Sequence, residues 1–233
     1  MCNGVDATRE LPATRWDTRD FPRAAQDGPF QAQIPPARAG LIGDVEGADP
    51  TLLRLPKREL RHMDPQHRVL LECAWHALED AGIAPDGLRG RQAGVFVGFN
   101  FTDFPRMLAR RWSALDGYAL LGTTPAFAAN RISAAFDLRG PSTCSSVGCA
   151  SSTVAIHEAC RALALGEAEL ALAGGVELML APDASLMLGR AGALSPSGRC
   201  RALDARADGY VRGEGAAMVV LKPVTSLGPH DRV

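Results

Sequence analysis

The residue best placed for chemistry is Cys149, which stands between two stretches of different character. The residues before it, 140–148 (GPSTCSSVG), are small, and a run with helical spacing follows it and ends at Gly166. A thiol at the start of a helix lies at the positive end of the helix dipole, which favours the thiolate. The thiolate is the form that acts as a nucleophile. The pattern is similar to a nucleophile elbow, where a tight turn exposes the attacking atom and backbone N–H groups face the reacting oxygen.

Two other interpretations of this cysteine stay open at this point. A free cysteine among Ala, Ser and Gly residues is often a buried, inert thiol, so the spacing alone does not decide. A metal site built from Cys144, Cys149 and His157 is the other alternative. It is disfavoured because zinc modules use paired cysteines at closer spacings.

Composition limits the classes of protein to which the chain can belong. It has 233 residues, of which 46% are hydrophobic and 22% charged, and a net charge of −1. These values are typical of a globular protein of one or two domains, without a field that attracts nucleic acid or an anionic membrane. The N-terminus lacks a signal pattern, and no apolar run reaches about 18 residues. The six cysteines form no CxxC pair, so we expect free thiols and a cytoplasmic location.

The elements that must position Cys149 follow from caps and periodicity. Asp64 and Pro65 begin a helix whose apolar residues recur at helical spacing until Gly82 ends it. The further predicted elements are a strand at 93–99, helices at 103–113 and 124–135, a strand at 142–148, a helix at 150–165 and a strand at 168–175. Strand, helix and strand with short connections predict a parallel sheet covered on both faces, and therefore an α/β fold.

The two ends of the chain are less regular. Residues 1–50 are rich in Pro, Arg, Asp and Gly, and we expect an irregular surface segment anchored by Trp16, Phe21, Phe30 and Ile34. Residues 208–222 predict a Gly-rich turn that leads into a buried strand. The blocks 64–68 and 208–215 are rich in turn and cap residues and are interpreted as structural.

From Asp64 onward the chain resembles the ketosynthase (β-ketoacyl synthase) family, in the form found in modular polyketide synthases. Cys149 stands where the family has its nucleophile. The other blocks that carry the resemblance are 63–72 (MDPQHRVLLE), 74–82 (AWHALEDAG), 94–98 (GVFVG), 130–133 (NRIS), 138–142 (LRGPS), 154–157 (VAIH), 172–176 (LAGGV), 194–196 (LSP), 198–200 (GRC), 204–205 (DA) and 207–215 (ADGYVRGEG).

The resemblance implies the N-terminal half of a thiolase-like α/β fold, with a mixed, mostly parallel sheet covered by helices. It divides the chain into an irregular N-terminal segment (1–62), the ketosynthase N-terminal half (63–225) and a tail (226–233). It also implies an acyltransferase in which Cys149 accepts an acyl group from the phosphopantetheine thioester of an acyl carrier protein, before decarboxylative Claisen condensation. The Cys149 N–H would be one of the oxyanion donors. No bound cofactor and no metal are implied.

The sequence departs from the family pattern beside the nucleophile and in its histidines. The usual Asp-Thr-Ala is Ser146-Val147-Gly148 here, and Ala150 replaces a serine. The family's two histidines and lysine lie in the second half of its domain, and His62, His67, His76, His157 and His230 match none of those catalytic positions. His62, His67 and His76 are interpreted as surface or structural, and His157 as a packing residue.

A half-domain exposes a large apolar face, so we expect a homodimer or a complementing ketosynthase C-terminal half as partner. The alternative is a non-catalytic ketosynthase-like interaction module, or a truncated inactive fragment.

Overall fold

The structure, a computed structural model, describes residues 5–13, 15–16, 38–47, 50, 55–110 and 112–228. In chain order the strands are β1 Thr8–Glu10, β2 Arg38–Gly40, β3 Ala93–Phe99, β4 Ser142–Ser145, β5 Leu170–Glu177 and β6 Gly215–Leu221. The helices are α1 Lys57–His62, α2 Pro65–Asp80, α3 Phe104–Ala109, α4 Gly117–Thr123, α5 Ala126–Phe136, α6 Ser151–Ala164 and α7 Asp183–Arg190. Within the described ranges, no helix has the length and apolar character needed to cross a bilayer.

The chain divides into two compact units. The smaller comprises Met1–Gly43 and Leu178–Gly215, and the larger comprises Asp44–Glu177 and Ala216–Val233. The larger unit contains a four-stranded sheet in the order β4-β3-β5-β6. β3 pairs in parallel with β4 and with β5, and every residue of β3 is buried. The predicted parallel α/β arrangement around residues 142–175 is confirmed.

The two faces of the sheet are covered by different helices. α6 packs against β3 and β5, in a core of Phe96 and alanines from the helix and from β5. α2 lies on the opposite face, because His67 contacts Phe99, whose side chain alternates away from that of Phe96. The alanines bring the α6 backbone close to the sheet, which sets the position of the turn that precedes this helix.

The start of α2 agrees with the signals in the sequence. The Asp64 carboxylate accepts a hydrogen bond from the Gln66 N–H at 2.9 Å, and Pro65 is the first helical residue. Gly82 follows the helix with a φ of +66°, as predicted. This cap is buried, since Asp64 and Gln66 are both fully shielded from solvent.

The N-terminal segment is more regular than predicted over the residues described. β1 and β2 form an antiparallel pair in the smaller unit, and α1 belongs to the larger unit. Of the four expected anchors, Trp16 is partly buried, and Phe21, Phe30 and Ile34 lie outside the described residues. The domain boundaries at 62/63 and 225/226 stay a prediction.

The predicted strand at 208–222 is observed as β6, but it is less buried than expected. Its residues mostly alternate between exposed and half-buried, so one face of this edge strand is exposed. The predicted helix at 103–113 is shorter as well: α3 ends at Ala109, and a 3-10 helix follows at Trp112–Ala114.

In the smaller unit, the 208–215 block has the structural role interpreted from the sequence. The buried carboxylate of Glu214 accepts hydrogen bonds from the backbone N–H groups of Met179 at 3.0 Å and Ile42 at 3.2 Å, and pairs with Arg15 at 3.2 Å. Asp208 accepts a hydrogen bond from Ser195 Oγ at 2.6 Å, which holds the pKa of Asp208 below its ordinary value. Both carboxylates therefore hold loops through hydrogen bonds, Glu214 from a buried position and Asp208 from an exposed one.

Candidate active site

Cys149 lies in the turn between β4 and α6, and its side chain is exposed. The sequence predicts that the strand continues to residue 148, but β4 ends at Ser145. Among the residues that the structure describes, β4 pairs only with β3, at the edge of the sheet, and this pairing ends at Gly98 and Ser145. Residues 146–150 are thereby released to form the turn that presents the thiol.

The turn is held by a glycine and a serine. Gly148 has a φ of +65°, a left-handed conformation that residues with a Cβ adopt only with strain. The hydroxyl of Ser151 donates to the Gly148 carbonyl at 2.6 Å and accepts from the Val147 N–H at 3.0 Å. The Ser151 N–H donates to the same carbonyl at 3.1 Å. The chain therefore enters α6 through a closed hydrogen-bonded turn, with Cys149 at its tip.

Glycines in the sheet allow the first turn of α6 to lie directly on it. A Cβ on Gly98 would come within 2.3 Å of the Ser152 backbone nitrogen. A Cβ on Gly175 would come within 2.9 Å of the Ser152 Cβ. These approaches leave no room for a larger residue at Gly98, so the GVFVG block fixes the height of the Cys149 turn above the sheet.

A carboxylate joins α6 to the edge strand. Glu158 Oε2 accepts hydrogen bonds from Ser145 Oγ at 3.0 Å and from Thr143 Oγ1 at 3.3 Å. Residues 143 and 145 project from the same side of β4, because side chains alternate along a strand. Both ends of the connection that carries Cys149 are thus anchored by side-chain hydrogen bonds.

The other cysteine of this segment has a different environment. Cys144 is half-buried within β4, and burial raises the pKa of its thiol to about 11. At neutral pH, Cys144 is therefore protonated and a poor nucleophile. Cys160 is exposed as well, but it lies in the last turns of α6 rather than at its start.

The described histidines do not complete a catalytic group with Cys149. None forms a hydrogen bond with Cys149. His157 is exposed on α6, so its interpretation as a packing residue is wrong. His62 hydrogen-bonds the Arg58 carbonyl, and His76 lies 3.2 Å from Glu79. His230 lies outside the described residues.

His67 is a core residue, which agrees with a structural role. Its ring meets Phe99 edge-on, with the ring centroids 5.5 Å apart. Burial, with a smaller contribution from the charge of Arg131, lowers the pKa of His67 to about 3. His67 is therefore neutral at physiological pH.

The alternative of a metal site gains no support from the geometry. Over the part of the chain that the structure describes, no three or more His, Cys, Asp or Glu side chains are grouped closely enough to hold a metal ion. The residues that sequence reasoning missed are Ser151 and Glu158. Ser151 carried a weak signal, because serine hydroxyls at helix starts often bind neighbouring backbone groups. Glu158, in the middle of α6, carried no local signal.

Comparison with known proteins agrees with the sequence motifs. The sequence model of the family described as "Beta-ketoacyl synthase, N-terminal domain" matches residues 1–226. A phenolphthiocerol/phthiocerol polyketide synthase from Mycobacterium bovis is 42% identical over 100% of this chain. Polyketide synthase ThaG from Burkholderia thailandensis is 41% identical, also over 100%. The chain spans 13% and 4% of the lengths of these two relatives.

Solved structures show the same relationship. The ketosynthase from module 6 of the bacillaene synthase from Bacillus subtilis 168 matches with a TM-score of 0.82 and 34% identity, over 96% of this chain and 36% of its own. The oxazolomycin ketosynthase domain OzmH KS7 from Streptomyces albus JA3453 matches with a TM-score of 0.84 and 36% identity, over 96% and 40%. The predicted thiolase-like α/β fold is confirmed. The chain belongs to the beta-ketoacyl synthase family and contains the N-terminal domain of that family.

Proposed function

We propose that Cys149 is the nucleophile of a ketosynthase-type acyltransferase. The observation that carries this proposal is the exposure of the Cys149 thiol at the hydrogen-bonded turn before α6. The Cys149 thiol gives up its proton, which later passes to the leaving group, and its sulfur attacks the carbonyl carbon of an acyl thioester, whose carbonyl oxygen becomes an oxyanion. When the tetrahedral intermediate collapses, the thiolate of the donor leaves and takes up a proton, and the acyl group remains on Cys149. The Cys149 N–H is one donor to the oxyanion.

The substrate carrier that fits this chemistry is the phosphopantetheine arm of an acyl carrier protein. This proposal is supported by the relatives at 41% and 42% identity, which are named polyketide synthases. In the following step, decarboxylation of a malonyl-type extender yields a carbanion that attacks the acyl carbon. The new carbon–carbon bond forms as the Cys149 thiolate leaves. In the family this step requires histidines, which a ketosynthase C-terminal half would supply to this chain. The other proposed partner is a second copy of the chain.

Intact mass spectrometry tests the first step. The wild-type protein and the variant Cys149→Ala are each incubated with an acyl-pantetheine thioester. The matched control is Cys160→Ala, which removes the exposed thiol of the helix that follows Cys149. We expect one acyl adduct on the wild-type protein and on Cys160→Ala, and none on Cys149→Ala. A folded protein that takes up no acyl group would instead favour the non-catalytic interaction module.

A further inference from the structure

The side chain of Ser151 controls the direction of one particular peptide group. Its hydroxyl and its N–H both donate to the carbonyl oxygen of Gly148, at 2.6 Å and 3.1 Å. The same hydroxyl accepts the Val147 N–H at 3.0 Å, so it is used both as donor and as acceptor. Ser151 is 5% exposed, which shields these hydrogen bonds from competition with water.

The consequence for Cys149 follows from peptide geometry. The Gly148 carbonyl and the Cys149 N–H belong to the same peptide group, which is planar and trans, so the two bonds point in opposite directions. Two hydrogen bonds that hold the carbonyl toward Ser151 therefore direct the Cys149 N–H away from the helix start. Gly148 is the residue at which this peptide could otherwise rotate most freely, because glycine has no Cβ to restrict it.

We propose that Ser151 is a positioning residue for acyl transfer, which sets the direction of the Cys149 N–H toward the oxyanion. This inference rests on the proposed function of Cys149. Ser151 does not touch the substrate in this account; it acts only through the Gly148–Cys149 peptide. A displaced oxyanion donor loses much of its effect, since such donors stabilise the transition state only when they are fixed beforehand.

Two reactions of the same thiol separate this role from a general structural one. Acyl transfer from a thioester develops an oxyanion and requires the directed N–H. Alkylation by iodoacetamide is a substitution at a saturated carbon, and no carbonyl oxyanion forms. A change that only damaged the fold or the exposure of Cys149 would alter both rates.

The test measures both rates on the whole protein, for the wild type, Ser151→Ala and Ser152→Ala. Ser152 is the matched control, because it is the next residue of the same helix turn and its exposed hydroxyl is not part of the turn. We expect Ser151→Ala to slow acyl transfer about 10- to 100-fold while the alkylation rate stays at the wild-type value. Ser152→Ala is expected to keep both rates.

Each contrary outcome is distinct. Equal slowing of both reactions by Ser151→Ala, or slowing of neither, would overturn the positioning role and leave the function of Cys149 intact. A wild-type protein that is alkylated at Cys149 but never acylated would overturn the proposed function, and the inference with it.

Discussion

The hydroxyl of Ser145 lies 3.0 Å from Glu158 Oε2, so the last residue of β4 is joined directly to the second turn of α6. The same carboxylate oxygen accepts the hydroxyl of Thr143. Within the described part of the chain, β4 is an edge strand that pairs with β3 alone, and this connection to α6 supplements its limited pairing. The contact thereby supports the segment from which the Cys149 turn departs.

Removal of this carboxylate is expected to destabilise the protein. Glu158→Ala leaves two hydroxyls without their acceptor, and hydrogen bonds to a charged group are each worth about 1.5–3 kcal/mol. Because both hydroxyls keep partial access to water, we expect a loss of about 1–2 kcal/mol in the free energy of unfolding. Urea unfolding measures it. Glu167→Ala, at an exposed position after α6, is the control, and an equal loss in both variants would contradict the role of Glu158.

The close approach of α6 to the sheet predicts a second sensitive position. Gly98→Ala places a Cβ 2.3 Å from the Ser152 nitrogen and 2.5 Å from the Ser151 carbonyl carbon, both backbone atoms that cannot move alone. We expect a destabilisation of about 1–3 kcal/mol, as for other overpacked sites, together with slower acylation of Cys149. Gly87→Ala is the control, because no atom lies within 4 Å of its added Cβ. If Gly98→Ala unfolded at the same temperature as the wild type, the helix could shift without cost, which would contradict this prediction.

The buried imidazole of His67 predicts a dependence of stability on pH. Its pKa is lowered from 6.5 to about 3, so below pH 6.5 the unfolded chain takes up a proton that the folded protein does not. The stability that His67 contributes is therefore full above pH 6.5 and is lost as the pH falls from there toward 3. Between pH 7 and pH 5 the loss amounts to about 2 kcal/mol.

Asp64 has the opposite effect on the pH dependence of stability, so the two contributions must be separated. Burial raises the pKa of Asp64 from 3.8 to about 6, so its contribution to stability falls as the pH rises through that range. The measurement is therefore a difference: the free energy of unfolding of the wild type minus that of His67→Leu, at pH values from 5 to 7. We expect this difference to increase with pH. Parallel curves for the two proteins would contradict a neutral, buried His67.

The features that the sequence predicted correctly depend on local signals. Asp64 and Pro65 predict the start of α2, because Asp is a common N-cap residue and Pro is favoured at the first helical position. The small residues before Cys149 predict the strand-to-helix turn. The end of β4 at Ser145 could not be predicted locally, because it depends on where the pairing of β4 with β3 stops. The burial of His67 is also tertiary: it arises from packing on Phe99, which is 32 residues later in the sequence.

The candidate site divides in the same way. Cys149 is recognisable from its surroundings and from the family resemblance. In the sequence, Ser151 and Glu158 cannot be distinguished from other polar residues of a helix. Their roles depend on hydrogen bonds to the turn and to the edge strand, which only the structure shows. The three-residue strands β1 and β2 gave no periodic pattern, since strands this short carry too few residues to establish one.

The location of the acyl group within the protein tests the role of Cys149 most directly. After incubation with an acyl-pantetheine thioester, digestion with trypsin releases the peptide between Arg139 and Arg161, which contains Cys144, Cys149 and Cys160. Fragmentation of this peptide in the mass spectrometer assigns the adduct to one cysteine. We expect the acyl group on Cys149 alone. An adduct on Cys144 or Cys160, or one distributed over all three, would contradict it.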